Sequence, residues 1–250
     1  MIQDKFKDEI IWIIGASSGI GRALAIELAA SGAHLMLSAR RREDLLQLKN
    51  QLGERHMVYP LDIADAELTV RTAKAIHAAH GKIDRVIFMS AAYTPMQLSN
   101  LDMLALKNMI EVNILGAFNL IHAIMPLLLE QVFAQIVLCG SVAGFVGLPG
   151  GQPYSATKAA LINLAESLYA EAPKNIDVKI INPGFVKTAL TDKNNFSMPA
   201  IITPELAARE IAKGLLAKNF EIHFPKRFTF MLKFIALLPY RLKFFITRKI

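Results

Sequence analysis

The chain has 250 residues, 53% of them hydrophobic, 20% charged and 8% aromatic, which supplies one large buried core and excludes a disordered or fibrous chain. Its single cysteine, Cys139, excludes an internal disulfide and fits a reducing, cytoplasmic setting. The net charge of +7 is local: seven of the 28 basic residues (Lys226, Arg227, Lys233, Arg241, Lys243, Arg248, Lys249) lie in 225–250 with no acidic one, leaving 21 basic against 21 acidic side chains before them.

The basic surplus therefore belongs to the tail, and no nucleic-acid partner is expected for the neutral body. The opening MIQDKFKDEI is charged and lacks an apolar signal core, so no secretory leader is expected. From Ile10 onward, short β-rich runs alternate with longer helical patterns. Strands are expected over 10–14, 34–38, 57–60, 85–89, 134–139, 177–181 and 220–224, several of them apolar almost throughout, as parallel strands covered on both faces are. Helices are expected over 20–31, 42–52, 65–80, 102–129, 154–171 and 204–217. Thr203-Pro204-Glu205 opens the last of these with a capping hydroxyl and a proline at the first helical position. The alternation predicts an α/β fold, a doubly wound parallel sheet in one domain over 1–224, followed by a basic amphipathic tail over 225–250. His77 and His80 stand i, i+3 with no third ligand candidate near them. They read as a solvated helix edge, and no metal site is expected.

The first strand runs directly into Gly15-Ala16-Ser17-Ser18-Gly19-Ile20-Gly21, and a helix follows. Glycines permit the tight turn and let backbone N–H groups approach a pyrophosphate, to which the helix N-terminus adds its positive dipole end. The spacing is not GxGxxG, but the position between first strand and first helix favours a dinucleotide over a bare turn. At the end of the second strand, Ser38-Ala39-Arg40-Arg41 offers no carboxylate for a ribose 2′-hydroxyl. Arg40, and secondarily Arg41, can clamp a 2′-phosphate instead, so NADP(H) is the expected cofactor. Arg41 and Arg42 could equally begin a solvated helix. Asp62 is placed either for an adenine amino group or for capping the helix that follows.

Tyr154-Ser155-Ala156-Thr157-Lys158 puts a phenol and an ammonium on one helical face. A tyrosine of ordinary pKa, about 10, exchanges protons poorly at neutral pH, and a neighbouring cation is expected to lower that value. Ser141 follows the fifth strand, where ligands meet an open α/β sheet, and its hydroxyl can polarise a carbonyl. Asn113 is an amide inside a long apolar helix; it either satisfies local backbone or holds a water in a proton relay.

Gly15–Gly21, Asn113, Ser141, Tyr154, Lys158 and Asn182-Pro183-Gly184, in that order over residues 8–224, resemble the short-chain dehydrogenase/reductase family. The resemblance implies a seven-stranded Rossmann sheet and hydride transfer between NAD(P) and a carbonyl or alcohol. It implies Tyr154 as general acid/base, Lys158 as the group that lowers its pKa and binds the nicotinamide ribose, Ser141 as holder of the substrate oxygen, and Asn113 as support of the relay. The cofactor residues it implies are Gly15, Ser17, Ser18, Gly19, Ile20 and Gly21 in the loop, and Arg40, Arg41, Asp62, Ile63 and Ser90 on the adenosine side. Tyr154, Lys158, Pro183, Gly184, Val186 and Thr188 complete the set at the nicotinamide end. It also implies a homodimer or homotetramer built through helices 102–129 and 154–171. Two departures stand out: Ile14 replaces the usual Thr before the first glycine, and Met89-Ser90-Ala91-Ala92 replaces Asn-Asn-Ala-Gly. Ala92 cannot reach glycine-only backbone angles cheaply, and Ser90 is expected to replace part of the lost amide hydrogen bonding.

The substrate pocket is expected from 142–151, 93–98 and the lid-like loop 185–202, whose Phe185, Val186, Leu190, Phe196, Met198, Ile201 and Ile202 favour an apolar carbonyl or alcohol. In the tail, Phe228, Met231, Leu232 and Ile235 fall at i, i+3, i+4, i+7, while Pro239 breaks the pattern. Its longest charge-free stretch, 234–240, is far short of the roughly 20 residues that span a bilayer. Peripheral contact with an anionic membrane face through 226–250 is expected, the alternative being a helix packed on the body or across a dimer. The expected function is an NADP-dependent oxidoreductase for a lipophilic ketone, aldehyde or alcohol. The intact Asn113, Ser141, Tyr154 and Lys158 favour the enzyme, and the altered 89–92 segment keeps open a second reading, a nucleotide-sensing or membrane-scaffold protein without turnover.

Overall fold

A computed structural model describes residues 4–248; Lys249 of the basic tail lies outside the described residues. Strand β1 (Ile10–Ile14) is apolar and buried at all five positions. Its alternation splits those side chains between two layers. Ile11 and Ile13 pack toward α1 (Gly19–Ala30) and α7 (Pro204–Leu216), and Ile10, Trp12 and Ile14 toward α3 (Ala66–His80), α5 (Gly116–Leu128) and α6 (Tyr154–Glu171). The other strands, β2 (His34–Ser38), β3 (Met57–Val58), β4 (Arg85–Phe88), β5 (Ala134–Cys139), β6 (Ile176–Pro183) and β7 (Glu221–Phe224), pair in parallel in the order 3-2-1-4-5-6-7. This is the doubly wound sheet that the alternation predicts. β3 stops two residues early, before Pro60, which has no N–H to give to a ladder.

The strand order positions the site. After β1 the chain moves outward through β2, α2 (Arg42–Leu52) and β3, then returns through α3 to β4 on the other side of β1. Connections leaving β1 and β4 therefore diverge, and a crevice opens beyond their C-terminal ends. Helix α4 (Met103–Ile110) continues into α5 through a π turn, Glu111–Leu115, which holds Asn113. The run Met103–Leu128 is long and apolar enough to cross a membrane by length and composition. Its Val112, Ala117, Leu120, Ile124 and Leu128 are nonetheless buried against the sheet, as in a core helix of a globular domain.

Buried charge away from the crevice is spent on structure. Arg85 pairs bidentately with Glu9 (2.5 and 3.0 Å) and donates to Gln135 Oε1 and the Leu215 carbonyl. Lys179 donates to the carbonyls of Ala217 and Asn219.

After β7, α8 (Lys226–Leu237) and α9 (Tyr240–Thr247) are separated by Leu238-Pro239, where the pattern breaks. One face of α8 packs on the body: Leu232 and Ile235 cluster with Val142, and buried Thr229 lies 2.6 Å from His223 Nδ1. The body-packed alternative holds for that face.

His80 is not a solvated helix edge. Its ring meets that of His34 edge-on at 4.9 Å, and His34 in turn neighbours His56 at 6.4 Å. No group of three potential metal ligands occurs among the described residues. His56 is buried, and its Nδ1 accepts the Leu35 N–H at 3.2 Å, which requires the neutral ring. Burial, then Arg55 and His34, lowers its pKa from 6.5 to about 4. Burial and His80 push His34 the same way. Between those values the unfolded chain binds the proton and the folded one does not, so stability rises with pH there. The melting temperature should hold above about pH 6.5 and fall as pH drops towards 4, and His56→Gln should flatten that fall. Equal falls in both proteins would contradict the assignment.

Candidate active site

The crevice at the β1/β4 switch is a cavity of about 1040 Å³. That is at the upper end of single-ligand pockets and suits a long nucleotide with a second molecule beside it. The loop after β1 forms one end. Gly15 has φ +96°, and a Cβ there would sit 2.7 Å from the Ser90 backbone nitrogen; a Cβ on Gly21 would sit 2.2 Å from the Gly15 carbonyl oxygen. The loop can thus lie against the end of β4 only with hydrogen at both positions. Ser18 at the N-cap of α1 makes no side-chain capping bond, so the first N–H groups of that helix face the cavity uncapped.

Arg40 and Arg41 flank this end. Arg41 pairs with Asp44 and donates to Ser17 Oγ at 3.2 Å, while Arg40 makes no hydrogen bond or ion pair within the described protein. Asp62 lines the cavity and accepts the Ala64 N–H at 3.1 Å; the cap of α3 is Asp65 instead. The helix-capping alternative for Asp62 is therefore removed. Ile63, Ser90, Pro183, Gly184, Val186 and Thr188 also line the cavity, with Thr188 beside Gly19.

At the other end stand Ser141, Tyr154 and Lys158. Ser141 caps a short 3₁₀ turn, Val142–Gly144, that presses on α6: a Cβ on Gly144 would lie 2.8 Å from the Ala159 nitrogen. Tyr154 opens α6 and Lys158 follows one turn later on the same face, its Nζ 5.5 Å from the phenol ring centre. Lys158 is buried and donates to the Cys139 carbonyl at 2.8 Å; burial pushes its pKa below the ordinary lysine value. Burial pushes the Tyr154 phenol above the ordinary range, Cys139 and Tyr93 add to the rise, and a hydrogen bond to Ser141 opposes it. The expected lowering of the phenol by Lys158 is reversed here, because desolvation dominates both groups. Cys139 is a core thiol, itself pushed up by burial.

Asn113 stands behind the cavity wall and does not line it. Its Oδ1 accepts the Ala92 N–H at 2.7 Å, and its Nδ2 donates to the Ala92 carbonyl and to Thr157 Oγ1, both at 3.0 Å. Both side-chain donors are spent, which favours the local-backbone alternative over a water relay through the amide. It is a positioning residue. Asn113, not Ser90, holds the Ala92 backbone, and Ala92 is absent from the positive-φ residues, so it is unstrained.

Three segments differ from expectation, and of 142–151 the residues 144–147 do not line the cavity. From 93–98 only Tyr93 reaches the cavity, where it meets Tyr154 edge-on at 5.0 Å and donates to Asn194 Oδ1. Of the loop 185–202, Phe185, Val186, Leu190 and Phe196 line it, whereas Met198, Ile201 and Ile202 do not. Missing from the sequence reading are Phe228, Met231 and Leu232 of α8, which complete the wall next to Phe185.

The family model for short chain dehydrogenases matches residues 9–198. The chain belongs to this family. Among its relatives, an uncharacterised oxidoreductase of Myxococcus xanthus is 32% identical over 231 residues, 91% of each chain. One from Staphylococcus aureus strain MW2 is 31% identical over 210 residues, 83% of this chain and 91% of that one. Among solved structures, a short-chain dehydrogenase/reductase of Burkholderia phymatum in complex with NAD shares the fold, with TM-score 0.84, 21% identity, and 91% and 92% of the two chains covered. An alcohol dehydrogenase of Thermococcus sibiricus complexed with 5-hydroxy-NADP gives TM-score 0.79 at 26% identity, over 87% and 96%. A short chain dehydrogenase of Shigella flexneri complexed with NADP gives 0.80 at 25%, over 88% and 98%.

In this short-chain dehydrogenase/reductase, Asn113→Ala should orphan the buried Ala92 groups and cost roughly 2–4 kcal/mol in denaturant unfolding. A loss under about 1 kcal/mol would contradict the clamp.

Proposed function

We propose that this protein is an NADP(H)-dependent oxidoreductase that reduces an apolar ketone or aldehyde, or oxidises the matching alcohol. The observation that carries this reading is the meeting of Ser141, Tyr154 and Lys158 in one cavity whose far end is the glycine loop and an uncommitted Arg40. The cradle that a Cβ would fill at Gly15 and Gly21, and the uncapped start of α1, fit a pyrophosphate. Arg40 is the group for a 2′-phosphate, with Arg41 held alongside by Ser17 and Asp44. The 26% and 25% identical neighbours described with NADP-type ligands support this choice.

When bound, the cofactor supplies or accepts the hydride. Ser141 holds the substrate oxygen by a hydrogen bond. The raised pKa keeps the Tyr154 phenol protonated at neutral pH, so it carries the proton that the oxygen takes up as its carbon gains hydride. The C=O π pair becomes the new O–H bond, and the phenolate left behind lies next to Lys158, whose ammonium stabilises it. Of its three donors Lys158 spends one on Cys139, which leaves others for ribose hydroxyls. The substrate end is walled by Leu148, Phe185, Leu190, Phe196 and Phe228, with no cation besides Lys158, which suits an apolar compound. Copies pair, in this reading, through the α4–α5 run, where Leu104, Leu115 and Phe118 are exposed.

The assay follows NADPH consumption with aldehydes and ketones of increasing chain length. Tyr154→Phe should lower turnover at least about 100-fold while NADPH still binds. A Tyr154→Phe protein that keeps wild-type turnover contradicts the mechanism.

A further inference from the structure

Helix α8 is apolar on two faces. Thr229, Leu232 and Ile235 are buried on the body, yet Phe230, Phe234 and Leu237 on the other side are 58%, 64% and 84% exposed. Helix α9 adds exposed Tyr240, Leu242 and Phe244. A helix on a water-facing surface turns polar residues outward. Single exposed apolar side chains are ordinary, but a continuous row of aromatic and aliphatic ones marks an interaction face. Cations border this row. Residues 226–248 hold Lys226, Arg227, Lys233, Arg241, Lys243 and Arg248 and no acidic residue, and of these only Lys233 is in an ion pair, with Glu221 of the body.

We propose that α8 and α9 dock this protein on the surface of an anionic lipid bilayer and open its cavity toward the lipid. Charge decides the occupant. In a two-fold pair of copies the same patch would meet itself, setting five unpaired cations against five. Acidic headgroups neutralise the same cations, while Phe230, Phe234 and Leu237 enter the acyl boundary. Helices of 12 and 8 residues, broken at Pro239, are too short to span and lie along the interface. The link to the cavity is Met231. It lines the cavity beside Phe228 and Leu232, is 48% exposed, and stands next to Phe230 and one turn from Phe234 on the same helix. An apolar compound dissolved in the bilayer therefore meets the cavity wall at the docking helix. This delivery step rests on the apolar-substrate reading above; the docking itself does not.

The test mixes full-length protein with phosphatidylcholine vesicles, with or without phosphatidylserine, and sediments them, with NADPH fluorescence read in the same samples. Wild type should sediment with the anionic vesicles, stay free of the neutral ones, and be released by salt. Phe234→Ser with Leu237→Ser, and separately Arg227→Gln with Arg241→Gln, should each weaken partitioning about tenfold or more and leave NADPH binding intact. Turnover of a long-chain aldehyde carried in anionic vesicles should exceed that in neutral vesicles for wild type but not for the Phe234/Leu237 variant. Wild type that binds NADPH but no anionic vesicle overturns docking, as do variants that partition like wild type. A dimer that Phe234→Ser with Leu237→Ser dissociates in sedimentation velocity also overturns it, because the face then belongs to a second copy. Vesicle binding without NADPH binding leaves docking standing and overturns the proposed function instead.

Discussion

The amide of Asn113 ties together three segments that are distant in sequence, and the site depends on it. It holds both backbone groups of Ala92, just beyond the end of β4, and reaches Thr157 on the helix that carries Tyr154 and Lys158. The strand-end segment fixes where the glycine loop can rest, since Gly15 is in near contact with Met89 and Ser90. The helix fixes where the phenol and ammonium stand. One buried side chain thus ties the strand end beside the glycine loop to the helix that carries Tyr154 and Lys158. Its cost of burial is offset because every donor is used. The π turn around Asn113 belongs to the same arrangement, in the middle of an otherwise regular run of helix.

A contrast in hydrogen bonding separates structural charge from charge that awaits a ligand. Arg85 and Lys179, at the opposite end of the sheet, spend their donors on Glu9, Gln135 and main-chain carbonyls. The Lys158 ammonium is as deeply buried but makes a single hydrogen bond among the described residues, and the Arg40 side chain at the mouth makes none. A buried ammonium with unspent donors is expensive unless something else completes it. Lys158 and Arg40 line the same cavity. Desolvation raises the phenol and lowers the ammonium, against the lowering of the phenol that the sequence motif suggests.

Much of this was legible in the sequence, for local reasons. Apolar β-rich runs mark all seven strands to within two residues, with 177–181 extending to Pro183 and β3 cut short before Pro60. The loop, Ser141, Tyr154 and Lys158 were visible as spacing, because each lies at the end of an element whose type the pattern predicts. What stayed hidden depends on partners far along the chain. Ala92 and Thr157 lie 21 and 44 residues from Asn113, so no local pattern says the amide is saturated. The sign of the Tyr154 shift depends on how much protein surrounds it, which spacing does not contain. The stripe at Phe228, Met231, Leu232 and Ile235 announced a helix with an apolar face, but not that the face would close the cavity. Met198, Ile201 and Ile202 shared the apolar character of the lid, yet hydrogen bonds between Phe185, Lys187 and Ile202 turn that end of the loop back on the body.

The proposed function requires the β1/β4 crevice to be a working dinucleotide site that prefers the 2′-phosphate through Arg40. Parallel fluorescence titrations of NADPH and NADH into the purified protein at low salt test it most directly. NADPH should bind tighter than NADH by about tenfold or more, the worth of one charge-assisted pair. Equal or stronger binding of NADH contradicts the role of Arg40, and binding of neither contradicts the site.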